Sequence, residues 1–175
     1  MYLIETERTG VRYFLESDFD DLHEIFSNPL VMENTEAPYD QEKTRAFLNG
    51  FCIKMKRALA VVHKEDDKVI GYLLFSDSLE EDVYELGWIF NENYWRQGLA
   101  FEVMSSLIHY TFRELKAHKV FAEAIDDLKS VGLMKKLGMY LEGRQKEQVR
   151  DQKGLWRDLY FYGLLEEDYQ PMEGY

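Results

Sequence analysis

The order of apolar patterns along the chain predicts an α/β (α+β) fold, in which one mixed, mostly antiparallel sheet carries helices on both faces. Strand-like alternation fills residues 58–90, a long apolar stripe at helical spacing follows, and two strand-like runs around a short polar turn come near the end. A long helix between strands indicates a crossover connection, whereas tight turns indicate antiparallel pairing. We therefore expect seven strands in one sheet, and a single domain over residues 1–175.

The first half of the chain is predicted to form a strand, two helices and three strands. "GVRYFL" is the first strand, and Ser17 is a candidate N-cap for a helix over 18–28, because acidic residues crowd the first turn. Phenylalanine and methionine at four-residue spacing predict a second helix from Gln41 to Lys56. "ALAVVHKEDDKVIGYLLFSDS" predicts a hairpin that turns at residues 65–68, and "DVYELGWIF" adds a third strand.

The second half is predicted to form a helix, a strand, a helix and a final hairpin. Leucine and valine line one face of a helix from about Gly98 to Ala117, and "KVFAEAI" is a strand. "LKSVGLMKKLG" predicts a short helix that Gly138 ends. "MYLEGRQKEQVR" and "LWRDLYFYGLL" predict two strands joined by the turn "DQKG".

Composition narrows the function classes. A formal net charge of -12 repels a phosphate backbone, so we expect no nucleic-acid partner. The same carboxylates would favour a cationic amine substrate, although solubility alone explains them as well. Cys52 is the one cysteine and the four histidines are scattered, so we expect no metal. No run reaches membrane-span length and acidic residues follow a very short apolar start, so we expect a cytoplasmic location and no membrane partner.

The turn "YWRQGLA", residues 94–100, stands where a strand ends and the long helix begins. The first amides of a helix have no partner inside it, and together with the helix dipole they attract phosphate-type anions. Gly98 and Ala100 let a ligand approach the backbone, while Arg96 and Gln97 add donors. This pattern suits a pyrophosphate, and an ordinary helix start with a glycine in its turn remains the alternative.

Three segments together, "YELGWIF", "NYWRQGLAFEVM" and "DDLKSVGLMKKLGM", resemble the GNAT superfamily of acetyl-CoA-dependent N-acetyltransferases, most closely its RimJ/RimL-type branch. The resemblance extends to the opening "IETERTGVRYFLESDFDDLHEIFSNPLVM" and to the closing "LWRDLYFYGLLEEDY". It implies the GNAT fold and acetyl-CoA as the co-substrate. It also implies that the backbone of Arg96, Gln97, Gly98, Leu99 and Ala100 binds the pyrophosphate. The backbone of Trp88, Ile89 and Phe90 would pair with the pantetheine arm.

Glu85 is the first candidate for a general base. The period of two puts Glu85, Gly87 and Ile89 on one face of a central strand, and Tyr84, Leu86 and Trp88 on the other. A carboxylate in such a strand is costly unless it has a partner or a task, and Gly87 leaves room beside it. The family often has its base at this position. A structural carboxylate bonded to a neighbour is the alternative.

Two further positions follow from the resemblance. Ser130 matches a serine that would hydrogen-bond the coenzyme sulfur and protonate the thiolate, although a helix N-cap needs a serine equally. Asp127 stands where the family has an asparagine that contacts pantetheine, and an ionised carboxylate donates no hydrogen bond. Met134 stands where many members carry a tyrosine acid, so the tyrosine mechanism is absent here.

The sequence thus predicts an enzyme that transfers the acetyl group of acetyl-CoA to a primary amine by direct attack. The amine is a protein N-terminus or a small molecule, and the residues do not identify it. A catalytically silent acyl-CoA-binding sensor is the alternative, and an acidic interaction module without coenzyme is a third hypothesis. A homodimer is expected as a further partner.

Overall fold

The described residues form one eight-stranded sheet with helices on both faces. The computed structural model describes residues 1–125 and 128–171, with no side chains described at 128 and 129. The strands are Ile4–Glu5 (β1), Thr9–Tyr13 (β2), Ala58–His63 (β3), Lys68–Asp77 (β4), Val83–Phe90 (β5), Lys119–Ile125 (β6), Tyr140–Arg150 (β7) and Trp156–Leu165 (β8). The α-helices are Phe19–Phe26 (α1), Gln41–Phe47 (α2), Leu99–Arg113 (α3) and Leu128–Lys136 (α4).

The sheet has the spatial order β1-β2-β3-β4-β5-β6-β8-β7. Its described pairs are antiparallel except β5 with β6, which are parallel and joined by α3. The predicted mixed sheet and its helical crossover are therefore confirmed. The count of seven strands was wrong, because β1 contains two residues, Ile4 opposite Val11 and Glu5 opposite Gly10. A strand this short shows no alternation of polar and apolar residues.

The two faces of the sheet bury separate apolar clusters. α3 and α4 cover the face that carries Leu86 and Phe90, whereas α1, α2 and the helical segment after α2 cover the face that carries Tyr72 and Ile89. Tyr84 and Trp88 pack against the first cluster, so the predicted alternation along β5 is confirmed. The carboxylate of Glu85 consequently belongs to the α1 and α2 face.

The start of α1 differs from the prediction, which named Ser17 as its N-cap. A short 3-10 turn, Glu16–Asp18, precedes the helix, and the Asp18 carboxylate accepts the Leu15 amide at 2.8 Å. Arg12 donates two hydrogen bonds to the same carboxylate, at 2.7 and 2.9 Å. Since Asp18 is only 4% exposed, this bidentate pair compensates a buried charge and attaches α1 to β2.

The helix predicted from Gln41 to Lys56 has two parts. α2 ends at Phe47 and a π-helical segment, Leu48–Lys54, continues it. A π-helix has more residues per turn than an α-helix, so positions four apart no longer share one face. Met55, the last member of the predicted stripe, is accordingly 61% exposed.

None of the helices in the described residues has the length and apolar character that crossing a membrane requires. In the same part of the chain, no three or more His, Cys, Asp or Glu side chains group as metal ligands would.

Candidate active site

A gap between β5 and β6 forms the centre of the site. The two strands pair over three residues each, Val83–Glu85 with residues 119–121. Beyond them the described part of the chain shows no pairing between β5 and β6, whereas the other edge of β6 pairs with β8 over its whole length. A cavity of about 1050 Å³ opens at this divergence, lined by residues 86–90 of β5 and 123–125 of β6. Beyond Glu85, one edge of β5 therefore has no neighbouring strand among the described residues and presents backbone groups to the cavity.

The segment before α3 closes one end of the cavity. Arg96 and Gly98 have left-handed backbones, with φ of 60° and 79°, and the first backbone bond of the helix joins the Glu102 amide to the Gly98 carbonyl. Within the described residues, no acceptor is bonded to the backbone amides of residues 96–101. Donors at the positive end of a 15-residue helix thus stay available to an anion.

Hydrogen bonds inside residues 90–97 hold this segment in shape. The Trp95 indole donates to the Phe90 carbonyl at 2.8 Å, and the Asn91 side chain accepts the Asn93 amide at 3.1 Å. The Gln97 side chain donates to the Asn93 carbonyl at 3.0 Å, and Gln97 does not belong to the cavity lining. Of the five predicted pyrophosphate-binding positions, the other four line the cavity.

Glu85 lies next to the cavity, one residue before the part of β5 that lines it. Burial, followed by the neighbouring Glu123 carboxylate, raises the pKa of Glu85, and Arg57 partly opposes them. No hydrogen bond or close ion pair joins Glu85 to another residue in the described ranges. The structural alternative, a carboxylate bonded to a neighbour, therefore has no such bond to support it. A raised pKa brings a carboxylate closer to the range useful for proton transfer near neutral pH.

The opposite end of the cavity is built from distant segments. Residues 30, 31 and 33–35 from the loop after α1 line it, together with Tyr72 from β4 and Glu123 from β6. The Gln152 side chain, in the β7–β8 turn, donates to the Met32 carbonyl at 2.5 Å and to the Glu36 carbonyl at 2.8 Å. Burial raises the pKa of Tyr72, so its phenol keeps its proton.

Sequence reasoning missed Tyr72, Glu123 and Gln152. Alternation along "KVFAEAI" puts Phe121 and Glu123 on one face of β6. Since Phe121 is opposite Glu85 in the parallel pair, Glu123 shares the face of Glu85. No local signal marks Gln152, since its partners lie more than a hundred residues earlier in the chain.

Comparison with known proteins decides the family. The model of the acetyltransferase (GNAT) domain matches residues 8–140, which is most of the chain. This protein belongs to the GNAT acetyltransferase family. A relative in Bacillus subtilis (strain 168), the uncharacterized N-acetyltransferase YnaD, is 32% identical over 168 residues, which are 95% of this chain and 98% of YnaD. This GNAT protein is therefore an acetyl-CoA-dependent acetyltransferase, as the sequence predicted.

Solved GNAT structures share the fold. An acetyltransferase of the GNAT family from Bacillus anthracis has a TM-score of 0.85 and 31% identity, covering 94% of this chain and 98% of its own. Spermidine N-acetyltransferase from Vibrio cholerae, in complex with CoA and spermine, has a TM-score of 0.81 at 20% identity, covering 94% and 99%. RimL, a ribosomal L7/L12 alpha-N-protein acetyltransferase in complex with coenzyme A, has a TM-score of 0.80 and 19% identity. The match covers 91% of this chain and 95% of RimL. The GNAT fold is confirmed.

Two further positions that the sequence singled out, Ser130 and Met134, lie at the α4 side of the cavity. Ser130, in the first turns of α4, lines it. Met134 is buried at the position of the family's tyrosine and also lines the cavity. Asp127 lies outside the described residues. The free amides at one end and the open edge of β5 along the side fit the diphosphate and the pantetheine arm of acetyl-CoA.

Proposed function

We propose that this protein is an N-acetyltransferase that acetylates a primary amine by direct attack on acetyl-CoA. The observation that carries the proposal is the row of unbonded amides at residues 96–101, which faces a cavity that continues along the open edge of β5. An anion site joined to a strand edge suits a ligand with a diphosphate and an amide-bearing arm. We also infer that residues 1–175 form one acetyltransferase domain.

Different residues bind different parts of the coenzyme. The backbone of Arg96, Gly98, Leu99 and Ala100 holds the diphosphate, and Gln97 supports this segment through Asn93. The backbone of residues 88–90 pairs with the pantetheine arm and directs it towards Glu85. Asp127 is a further proposed contact of that arm.

The reaction requires a base and a donor from the protein. Acetyl-CoA supplies an acetyl thioester, whose carbonyl carbon forms a bond with the amine as the carbon–sulfur bond breaks. Glu85 accepts the proton of the amine, directly or through water, and Ser130 donates to the sulfur. Deprotonation at pH 7 costs about 1.4 kcal/mol of free energy for an α-amine with a pKa near 8. It costs about 4.6 kcal/mol for a lysine-like amine with a pKa near 10.4. A base therefore matters most for an alkyl amine.

The acceptor is a protein N-terminus or a small amine. One structural neighbour is a spermidine acetyltransferase and another a ribosomal protein N-acetyltransferase, and both share only the fold with this chain. The net charge of -12, with Glu33 and Glu123 in the cavity wall, supports an acceptor that carries positive charge. A cytoplasmic location and a homodimer remain predictions of the sequence.

A thiol-release assay with acetyl-CoA tests the proposal. Polyamines, aminoglycosides, amino acids and N-terminal peptides are offered in parallel, and we expect release with at least one class. Calorimetric titration with CoA is the companion measurement. Binding of CoA without release in any class would contradict an enzyme and support the silent sensor, which Met134 in place of a tyrosine favours.

A further inference from the structure

Arg8, in the turn between β1 and β2, reaches across to the start of α3. Its Nη1 donates to the Gln97 carbonyl at 2.9 Å. Its Nε and Nη2 donate to one carboxylate oxygen of Glu102, at 2.8 and 2.6 Å. The other oxygen of Glu102 accepts from the Thr6 hydroxyl at 2.5 Å and from the Arg8 amide at 3.3 Å. One guanidinium thus joins the helix to the segment that precedes it.

The bond to Gln97 fixes the direction of a neighbouring donor. The Gln97 carbonyl and the Gly98 amide belong to one planar trans peptide, so they point in opposite directions. With the carbonyl held by Arg8, the Gly98 amide points away from Arg8. Gly98 lines the cavity and Arg8 does not.

We propose that Arg8 is a positioning residue, which orients the Gln97–Gly98 peptide to receive the diphosphate of acetyl-CoA. The inference rests on the proposed function of the site. Arg8 acts through the backbone and touches no coenzyme atom, and Glu102 holds the guanidinium in place.

The local conformation explains why a positioning residue is needed. Arg96 and Gly98 both have positive φ. For a non-glycine residue such as Arg96, this conformation costs about 1–2 kcal/mol of folding free energy. In the described residues, no amide from 96 to 101 is fixed by an internal acceptor. The bond from Arg8 fixes a carbonyl of this segment instead, and pre-orders it before ligand binding.

Charge gives Arg8 a second effect. Glu102 lies in the first turn of α3, where its negative charge would weaken binding of a diphosphate. Arg8 neutralises that charge through the ion pair at 2.6 Å. Both effects predict that loss of Arg8 weakens binding of the diphosphate and leaves the chemistry at the thioester unchanged.

Two acetyl donors separate positioning from general stability. Acetyl-CoA carries the diphosphate, whereas S-acetylpantetheine has the same thioester without it. For Arg8→Gln we expect the KM for acetyl-CoA and the Kd for CoA to rise about tenfold, or about 1.4 kcal/mol. We expect kcat to stay within about twofold and kcat/KM with S-acetylpantetheine to stay unchanged. Arg8→Lys keeps the charge, but one ammonium bonds a single group well, so an intermediate KM is expected.

The matched control is Arg113→Gln, at the other end of the same helix. Arg113 forms an ion pair with Glu166 at 2.6 Å, equal in length to that of Arg8 with Glu102, and it does not line the cavity. We expect this variant to change the melting temperature slightly and neither donor's KM. If Arg8→Gln lowers the melting temperature far more, Arg8→Lys carries the test.

Three results would overturn the inference. Equal losses with both donors in the Arg8 variants would make Arg8 a general structural residue. An unchanged KM for acetyl-CoA in an active Arg8→Gln variant would remove the positioning role and leave the proposed function intact. Absence of CoA binding in the wild type would overturn the proposed function and the inference with it.

Discussion

The coenzyme end and the acceptor end of the cavity are built in different ways. At the coenzyme end, contiguous residues 96–101 have backbone amides with no bonded acceptor among the described residues, and hydrogen bonds from within residues 90–97 maintain their shape. At the acceptor end, the lining residues from the loop after α1, from β4 and from β6 meet only in the folded chain, and Gln152 bonds backbone carbonyls of that loop. In the proposed function, the first end recognises a group common to every acyl-CoA, whereas the second recognises the acceptor amine.

The difference shows what each kind of recognition needs from the sequence. Backbone recognition requires a glycine with positive φ and an open helix start, so a short motif is enough to encode it. Side-chain recognition requires the right residue types at positions that tertiary structure brings together. Glu85 lies beside the cavity, next to the first lining residue of β5, and its replacement should have the largest effect of the changes considered below.

We expect Glu85→Gln to lower kcat/KM about a hundredfold, because general-base catalysis contributes about 10²–10⁴-fold. Wild-type kcat/KM should rise with pH through the pKa of Glu85, which burial and Glu123 raise above its ordinary value. The variant should lack this acid limb. A carboxyl with a raised pKa stabilises the fold below its unfolded pKa and loses that contribution as pH rises. Glu85→Gln should therefore unfold at the same or a higher temperature at pH 7.

Glu123→Gln is the matched control for Glu85→Gln. It removes the neighbouring negative charge that raises the pKa of Glu85, so the acid limb should move to lower pH. The kcat at pH 7 should stay within about threefold, whereas the KM of a cationic acceptor should rise because the cavity wall loses a carboxylate. A pH profile of Glu85→Gln that keeps the wild-type limb would show that another group is the base.

The sequence predicted the local structure around the start of α3 because the information for it is local. The turn around Gly98, the crossover helix and the alternation along β5 follow from short-range patterns, and the structure contains each of them. The structure also has features that no short pattern encodes. β1 is too short to alternate, and the π-helical segment changes the helical period inside an apparently regular stripe.

The contacts of Arg8 and Gln152 are a second kind of feature that short sequence patterns do not predict. Arg8 bonds residues 89 and 94 positions away, and Gln152 bonds carbonyls 116 and 120 positions away. Neither residue type has a preference that specifies such partners. Contacts of this range depend on the order of strands in the sheet, which a single sequence only restricts.

Gly98→Ala should have the next largest effect, and it tests the coenzyme end alone. A Cβ at Gly98 would lie 3.8 Å from Arg8 Nη2, an ordinary contact, so the cost comes from φ of 79° and is about 1–2 kcal/mol. Relaxation of φ would turn the adjacent amides away from the diphosphate. We expect the Kd for CoA to rise about tenfold by calorimetry.

Gly138→Ala is the control for this strain. Gly138 has φ of 80° and no atom within 4 Å of a built Cβ, and it follows α4 outside the cavity lining. Both variants should lose similar stability in thermal unfolding, but only Gly98→Ala should weaken CoA binding. Equal Kd values in the two variants would mean that the conformation of Gly98 is irrelevant to the coenzyme.

Gln152→Ala should have the smallest effect, and it tests the acceptor end. The Gln152 amide bonds the Met32 and Glu36 carbonyls, so it ties the β7–β8 turn to the loop that lines the acceptor end. A typical hydrogen bond contributes about 0.5–1.5 kcal/mol, and the lower end of this range corresponds to about a two- to threefold rise in the KM of the acceptor, which we expect for bonds at the surface. The KM for acetyl-CoA should stay constant. In the control Lys153→Ala, at the adjacent exposed position, the KM of the acceptor and the KM for acetyl-CoA should both stay constant. A rise in the KM for acetyl-CoA would instead show that the two ends are coupled. Loss of the hydrogen bonds between Gln152 and the loop after α1 would then change the coenzyme end as well.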